Sequence, residues 1–325
     1  MSTIDQTLVV EPKTQAWLDE LAEAGAGGPP LYELSPKDAR DVLTSVQNSV
    51  TVVQPDADID DRIIAGGPTG EVQLRIVKPK NVTGTLPIVF HTHGGGWILG
   101  DRYTHERLDR ELANAVQAAV VFVDYTPAPE AHYPTQNEQA YTGLTWAFEN
   151  AAEFGADAGR IALIGDSVGG NMAAALTIMS KQRSGPKLAA QVLFYPVTDA
   201  DFDTDTYNRY ADGPWLSRPA MRWFWDAYLP DEQQRSEITA SPLQATLDDL
   251  RGLPPALVIN GEHDVLRAEG EAYARKLSQA GVPVTMVRYG GTIHDFVLLN
   301  PITNTPAPRA AIAQAAQFLK KALKA

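Results

Sequence analysis

Cysteine is absent from the 325 residues. That excludes a disulfide framework, a thiolate metal site and a cysteine nucleophile. It leaves the compartment open, since a chain of this length can build its core without disulfides. Long apolar runs are missing as well: nowhere do about 18 apolar residues follow one another, as a membrane-spanning helix requires. Positive charge is scarce, with 27 Lys and Arg against 40 Asp and Glu and a net charge of −13. Such a surface repels phosphate backbones and anionic headgroups, so nucleic acid and membrane surfaces are poor partners. The first residues carry acids and no basic stretch ahead of an apolar one, which does not read as a secretory leader. The expected location is therefore the cytoplasm, and the sequon at Asn81-Val82-Thr83 carries no meaning there. What is present, 44% apolar and 21% charged residues, is the balance of a folded globular protein.

Trp17, Leu18 and Leu21 stand at helical spacing within residues 12–24, and the run AGAGGPP from Ala24 to Pro30 ends that helix. Residues 36–48 read as a second helix. Strand-like runs follow at 50–53, 62–65 and 71–77, then at 86–91, 118–124, 161–164, 191–194 and 256–259, with a last one in PVTMVRY. Several are apolar throughout, which suits strands buried on both faces of a parallel sheet. Helical patterns at 137–154, 170–181, 268–281 and 308–323 lie between or after them. This alternation predicts an α/β fold with a doubly wound, mostly parallel sheet. About 55 residues between Pro196 and Pro255 break the pattern. They are too long for a plain loop and hold Tyr207, Tyr210, Trp215, Trp223, Phe224, Trp225 and Tyr228. They read as a helical insertion over the carboxyl ends of the strands, where α/β proteins bind ligands.

Three segments carry chemistry. Gly165-Asp166-Ser167-Val168-Gly169 is a G-x-S-x-G between the strand IALI and a helical pattern, the setting of a nucleophile elbow. The alternative is a tight glycine turn with an incidental serine. His93-Gly94-Gly95-Gly96-Trp97 follows the strand at 86–91. Its bare backbone N–H groups could serve an oxyanion, with the N–H of Val168 as the other half of the hole. A phosphate cradle is disfavoured, because neither the lysine of a P-loop nor GxGxxG is present. A serine nucleophile needs a base and an orienting carboxylate, in the chain order Ser, acid, His. Only His263 and His294 follow Ser167. His294 as base and Asp264 as acid satisfy the order, with His263 and Glu262 as the rivals. No histidine has metal-like spacing. The alternating Asp199, Asp201, Asp203 and Asp205 have Thr204 and Tyr210 where a calcium loop wants Gly and Glu, so they read as a solvated acidic loop.

HGGGW at 93–97, DYTPAPE at 124–130, GDSVGG at 165–170, YPVTD at 195–199, HDVLRAEG at 263–270 and HDF at 294–296 together resemble the hormone-sensitive-lipase-like, GDSxGG branch of the α/β-hydrolase esterases. The resemblance implies an α/β-hydrolase core with flanking helices and a helical cap. The cap would comprise residues 1–48 and an insertion at 199–250, the core residues 49–198 and 251–325. It also implies a carboxylic ester hydrolase acting on a small-molecule ester with no cofactor and no metal. Gly95, Gly96 and Val168 would be the oxyanion donors, and His93 would shape the loop. Trp97, Trp215, Phe224 and Phe296 are expected to line the substrate pocket. Val168, Thr126, Pro127 and Asp295 depart from the family's commoner residues, Asp295 standing where glycine is frequent after the histidine. A non-catalytic ligand receptor, an amidase or a lactonase on the same scaffold are the alternatives. The oligomeric state is open, with a homodimer among the options. A histidine base gives an expected acid limb of activity at around pH 6 to 7.

Overall fold

The computed structural model describes residues 8–25 and 28–325. The readings for residues 1–7, and for Ala26 and Gly27 of the glycine-rich break, lie outside them. One mixed sheet holds eight strands among the described residues: β1 (Ala57–Ala65), β2 (Glu71–Pro79), β3 (Leu86–Thr92), β4 (Ala119–Asp124), β5 (Ala156–Asp166), β6 (Leu188–Phe194), β7 (Ala256–His263) and β8 (Val284–Ile293). Their order is β1-β2-β4-β3-β5-β6-β7-β8. β2 is antiparallel to both β1 and β4, and every other pairing is parallel. The register fixes two cores. Val121, Phe90 and Leu163 pair in a row, and Val120, Val89 and Ala162 form the adjacent row. Because side chains alternate along a strand, the first row faces one core and the second the other. Helices α4 (Thr135–Glu149), α5 (Val168–Gln182) and α9 (Arg267–Gln279) cover the first face. Helices α3 (Glu106–Val116) and α10 (Pro306–Leu323) cover the second. Each fully buried side chain of this kind contributes about 1.5–3 kcal/mol, so β3, buried along its whole length, cannot slip by one residue without loss.

Most of the remaining helices lie over the carboxyl ends of the strands. They are α1 (Pro12–Ala24), α2 (Pro36–Asn48), α6 (Asp205–Arg209) and α7 (Arg218–Tyr228), whereas the short α8 (Leu247–Leu250) sits at the opposite edge, where Lys181 at the end of α5 donates to the carbonyls of Asp248 and Asp249 just ahead of β7. Local chemistry sets their starts. Pro12 opens α1 and the Glu11 carboxylate accepts from the Thr14 N–H at 2.8 Å. Ser35 caps α2 ahead of Pro36, and Ser217 caps α7. Trp17 of α1 and Trp215, in the loop before α7, bring their ring centroids to 5.3 Å, joining the N-terminal segment to the insertion.

Two expectations differ from the structure. Residues 50–53 form no strand, because no neighbouring strand offers them a ladder and Val53 is 94% exposed. Residues 106–116, given no helix from sequence, form α3, with Leu108, Leu112 and Val116 buried on one face. No helix among the described residues is long and apolar enough to cross a membrane.

Candidate active site

β5 ends at Asp166 and α5 begins at Val168, so Ser167 alone makes the turn. It holds φ 55° and ψ −121°, a left-handed conformation that costs a non-glycine residue energy. The turn is pinned from both sides: the Ser167 N–H donates to the Phe194 carbonyl at 2.9 Å, and the Val197 N–H donates to the Ser167 carbonyl at 3.1 Å. Glycine is required at two neighbours. A Cβ on Gly165 would strike the Gly169 carbonyl, and one on Gly169 would strike the Thr92 carbonyl. The hydroxyl therefore stands at the end of the sheet, at the positive end of α5.

Two loops complete the row. The one after β7 supplies Asp264 and the one after β8 supplies His294. His294 Nε2 lies 2.9 Å from Ser167 Oγ, and its Nδ1 lies 2.7 Å from Asp264 Oδ2. The other oxygen of Asp264 accepts from the Leu266 N–H at 2.9 Å. With Nδ1–H donating to Asp264, Nε2 presents a lone pair to the serine proton. Burial works against charge on His294, but Asp264 and then Asp295 outweigh it and raise its pKa above the ordinary value. The acid limb expected at pH 6 to 7 accordingly moves upward. The rivals sit elsewhere. His263 Nε2 donates to the Val9 carbonyl at 2.9 Å with Nδ1 3.3 Å from the Tyr210 hydroxyl, and Glu262 accepts from the Gly291 N–H at 2.7 Å.

The glycine loop lies beside the row. Gly95 and Gly96 have φ values of 107° and 63°, and both face the cavity that also exposes Ser167 and His294. Their N–H groups have no acceptor among the described residues. Val168 opens α5, where the first N–H groups have no intrahelical partner. Under the loop lies a buried network that sequence reasoning missed. Asp166 accepts from the Gly94 N–H at 3.1 Å and stands 3.3 Å from both His91 Nε2 and His105 Nε2. His91 Nδ1 is 2.5 Å from Asp109. Burial would raise the Asp166 carboxyl, yet His105 and His91 hold it well below the usual range. Burial also disfavours a charge on His91, which Asp109 first and Asp166 next push up. Asp166 is thus an anchored anion that ties the glycine loop to the elbow. The available signal was its place beside Ser167 in the motif. His93 is pushed down to about 3, chiefly by burial and then by the neighbouring His105 imidazole. Its neutral ring stacks between Phe122 and Tyr125, with centroids at 5.0 and 4.1 Å, and supports the loop from beneath.

The cavity encloses about 370 Å³. Leu31 and Tyr32, Val42 and Leu43 of α2, and Leu216, Met221 and Phe224 of the insertion give it an apolar wall. Of the four aromatics proposed for a substrate pocket, Trp215 and Phe224 line this cavity, whereas Trp97 and Phe296 lie outside its lining. Trp97 has φ 59°, which turns its ring under α7. There it stacks on Tyr228 at 3.9 Å and meets Trp225 edge-on at 4.9 Å. Phe296 packs on Tyr195 and Tyr289 in the second core. Trp97→Ala is thus expected to cost about 3–5 kcal/mol of stability, read as a lower urea midpoint at unchanged slope. Parent-like unfolding would show that this stack is dispensable. Asp199 holds Gln244 through both oxygens, while Asp201, Asp203 and Asp205 are exposed. No group of three or more metal-type side chains is clustered among the described residues.

Comparison with known proteins places this geometry. The family described as the α/β-hydrolase fold matches residues 89–298. The carboxylesterase NlhH of Mycobacterium tuberculosis is 38% identical over 275 residues, covering 83% of this chain and 85% of that protein. An arylesterase of Saccharolobus solfataricus is 37% identical over 228 residues, covering 70% and 73%. The crystal structure of a thermostable esterase from Pseudomonas putida superposes with a TM-score of 0.95 at 50% identity, covering 98% of this chain and 99% of that one. The chain belongs to the hormone-sensitive-lipase-like esterase family of the α/β-hydrolase fold.

Proposed function

We propose that this carboxylic ester hydrolase works by two-step acyl transfer from Ser167, with His294 as general base and acid and Asp264 as its orienting carboxylate. The observation that carries the reading is the unbroken row from Asp264 through His294 to Ser167 on a cavity floor shared with Gly95 and Gly96. Ser167 Oγ attacks the ester carbonyl as its proton passes to His294 Nε2. The oxyanion forms against the N–H groups of Gly95, Gly96 and Val168. His294 then gives the proton to the leaving alcohol, and water repeats the sequence on the acyl-enzyme. The division into a cap of residues 1–48 and 199–250 over a core of 49–198 and 251–325 belongs to the same reading. The cavity wall supports it, since it draws on both cap segments.

The substrates are small esters of short to medium acyl length. About 370 Å³ is near the lower end of the roughly 300–1,000 Å³ that small-ligand sites occupy, and the wall of Leu216, Met221 and Phe224 bounds it. Each methylene that fits adds about 0.8 kcal/mol of burial; beyond the wall, overpacking reverses the gain. Steady-state rates on p-nitrophenyl esters from acetate to palmitate are expected to peak at roughly four to eight acyl carbons. A monotonic rise to palmitate would overturn the closed pocket, and amide substrates turned over as fast as esters would overturn the ester assignment.

A further inference from the structure

The carboxylate of Asp295 lies on the far side of His294 from Asp264. Asp295 Oδ1 is 3.3 Å from His294 Nε2 and buried without a hydrogen-bond partner. Its other oxygen accepts from the Trp215 indole N–H at 2.9 Å. Trp215 in turn packs on Trp17 of α1. The backbone of Asp295 has φ 61°, a region glycine enters freely and other residues occupy at a cost. An aspartate has therefore been set in a strained turn, with one oxygen tethered to the cap and the other left beside the reacting nitrogen.

We propose that Asp295 is a positioning residue for His294, holding the imidazole from its Nε2 side and coupling it to the cap through Trp215. This rests on the reading of His294 as the base of Ser167. Other groups face the imidazole: Asp264 at Nδ1, Asp166 from the elbow, and the Tyr195 ring edge-on with centroids at 4.8 Å. Asp212 lines the same cavity, and neither lysine nor arginine is among its lining residues. No cation offsets Asp295 there, so its field acts on His294. An unpartnered buried acceptor is unfavourable, and a protonated Nε2 relieves it. Protonation of Nε2 is thereby stabilised twice, by Asp264 across the ring and by Asp295 beside it. The first catalytic step gains, because the imidazolium that forms is held. The resting enzyme loses at low pH, because a protonated Nε2 cannot accept from Ser167.

The sign follows. A nearby anion raises the pKa of a histidine, the active form is the neutral one, and activity therefore falls as pH drops through a raised value. Removing the Asp295 charge moves that limb to lower pH. The test is the pH dependence of kcat/KM for the parent, Asp295→Asn and Asp295→Gly. Asn keeps an acceptor for the Trp215 N–H, and Gly suits φ 61°, so the two variants lose the charge by different routes. Both are expected to shift the acid limb down by on the order of one pH unit, giving about a tenfold gain at low pH relative to each variant's own plateau. An acid limb that stays in place in both variants, or a loss uniform across pH, would overturn the proposal. Ser167→Ala, assayed alongside, separates this from failure of the underlying reading: full activity there would remove the base role of His294 itself.

Discussion

Ser167→Ala is expected to lower ester turnover by on the order of 10⁴-fold or more, as removing the nucleophile from a serine hydrolase does. That corresponds to at least about 5.5 kcal/mol of barrier. The fold should tolerate the change, since the substitution deletes one oxygen and nothing that packs. The bonds that fix the turn, from the Ser167 N–H to Phe194 and from Val197 to the Ser167 carbonyl, are backbone bonds and survive it. The φ of 55° is no worse for alanine than for serine. Thermal unfolding should thus remain close to the parent while turnover collapses. Turnover within tenfold of the parent would refute Ser167 as the nucleophile.

Asp264→Asn should reduce kcat by roughly 10³–10⁴-fold with little effect on KM. The reason lies in the two bonds that the carboxylate makes. Oδ1 accepts from the Leu266 N–H and Oδ2 from His294 Nδ1. An asparagine has only one acceptor oxygen. The Leu266 amide can only donate, so it claims that oxygen and turns the NH₂ toward His294. Nδ1 must then accept, Nε2 carries the proton, and the imidazole can no longer take one from Ser167. Asp264 is not part of the cavity wall, so binding is expected to persist. A loss below tenfold, or one confined to KM, would show that Asp264 does not set the tautomer.

Which parts of this were legible in the sequence follows from what each signal encodes. β3 and β4 were readable because both of their faces are buried, leaving continuous apolar runs. The elbow was readable because only glycine survives at 165 and 169. The order of acid and base set His263 aside as a partner of Asp264, but it left Glu262 open, because Glu262 also precedes His294; only the folded positions of the two carboxylates tell them apart. Residues 50–53 look like a strand, but β structure depends on a partner, and a single sequence carries no partner. Trp97 and Phe296 failed as pocket residues for a different reason. Proximity to a motif locates a backbone, whereas a φ of 59° at Trp97 decides where the ring goes. The Asp166 network was hidden because its members, His91, His105, Asp109 and Asp166, are scattered over 76 positions and meet only when β3, α3 and β5 pack. The upward shift of His294 comes first from Asp264 and then from Asp295 beside Nε2, and the second contribution is a matter of side-chain direction within one turn.

The bond between His294 and Ser167 joins residues 127 positions apart, and Asp264 arrives on a third segment 30 positions before His294. No contiguous piece of the chain short of residues 167–294 holds all three, and their spacing is set only when β7 and β8 have been added to β6 at one end of the sheet. Parallel strands need crossover connections, so these are among the slower contacts to form. During synthesis from the N-terminus, the elbow and glycine loop would emerge and could dock well before the histidine left the ribosome. A nascent or truncated chain that ends before His294 therefore carries a serine without its base, and it also lacks the part of the cavity lined by His294, Asp295 and Leu298. Ester hydrolysis becomes a report of completed folding rather than of local structure, and it should be lost in step with the unpairing of β7 and β8.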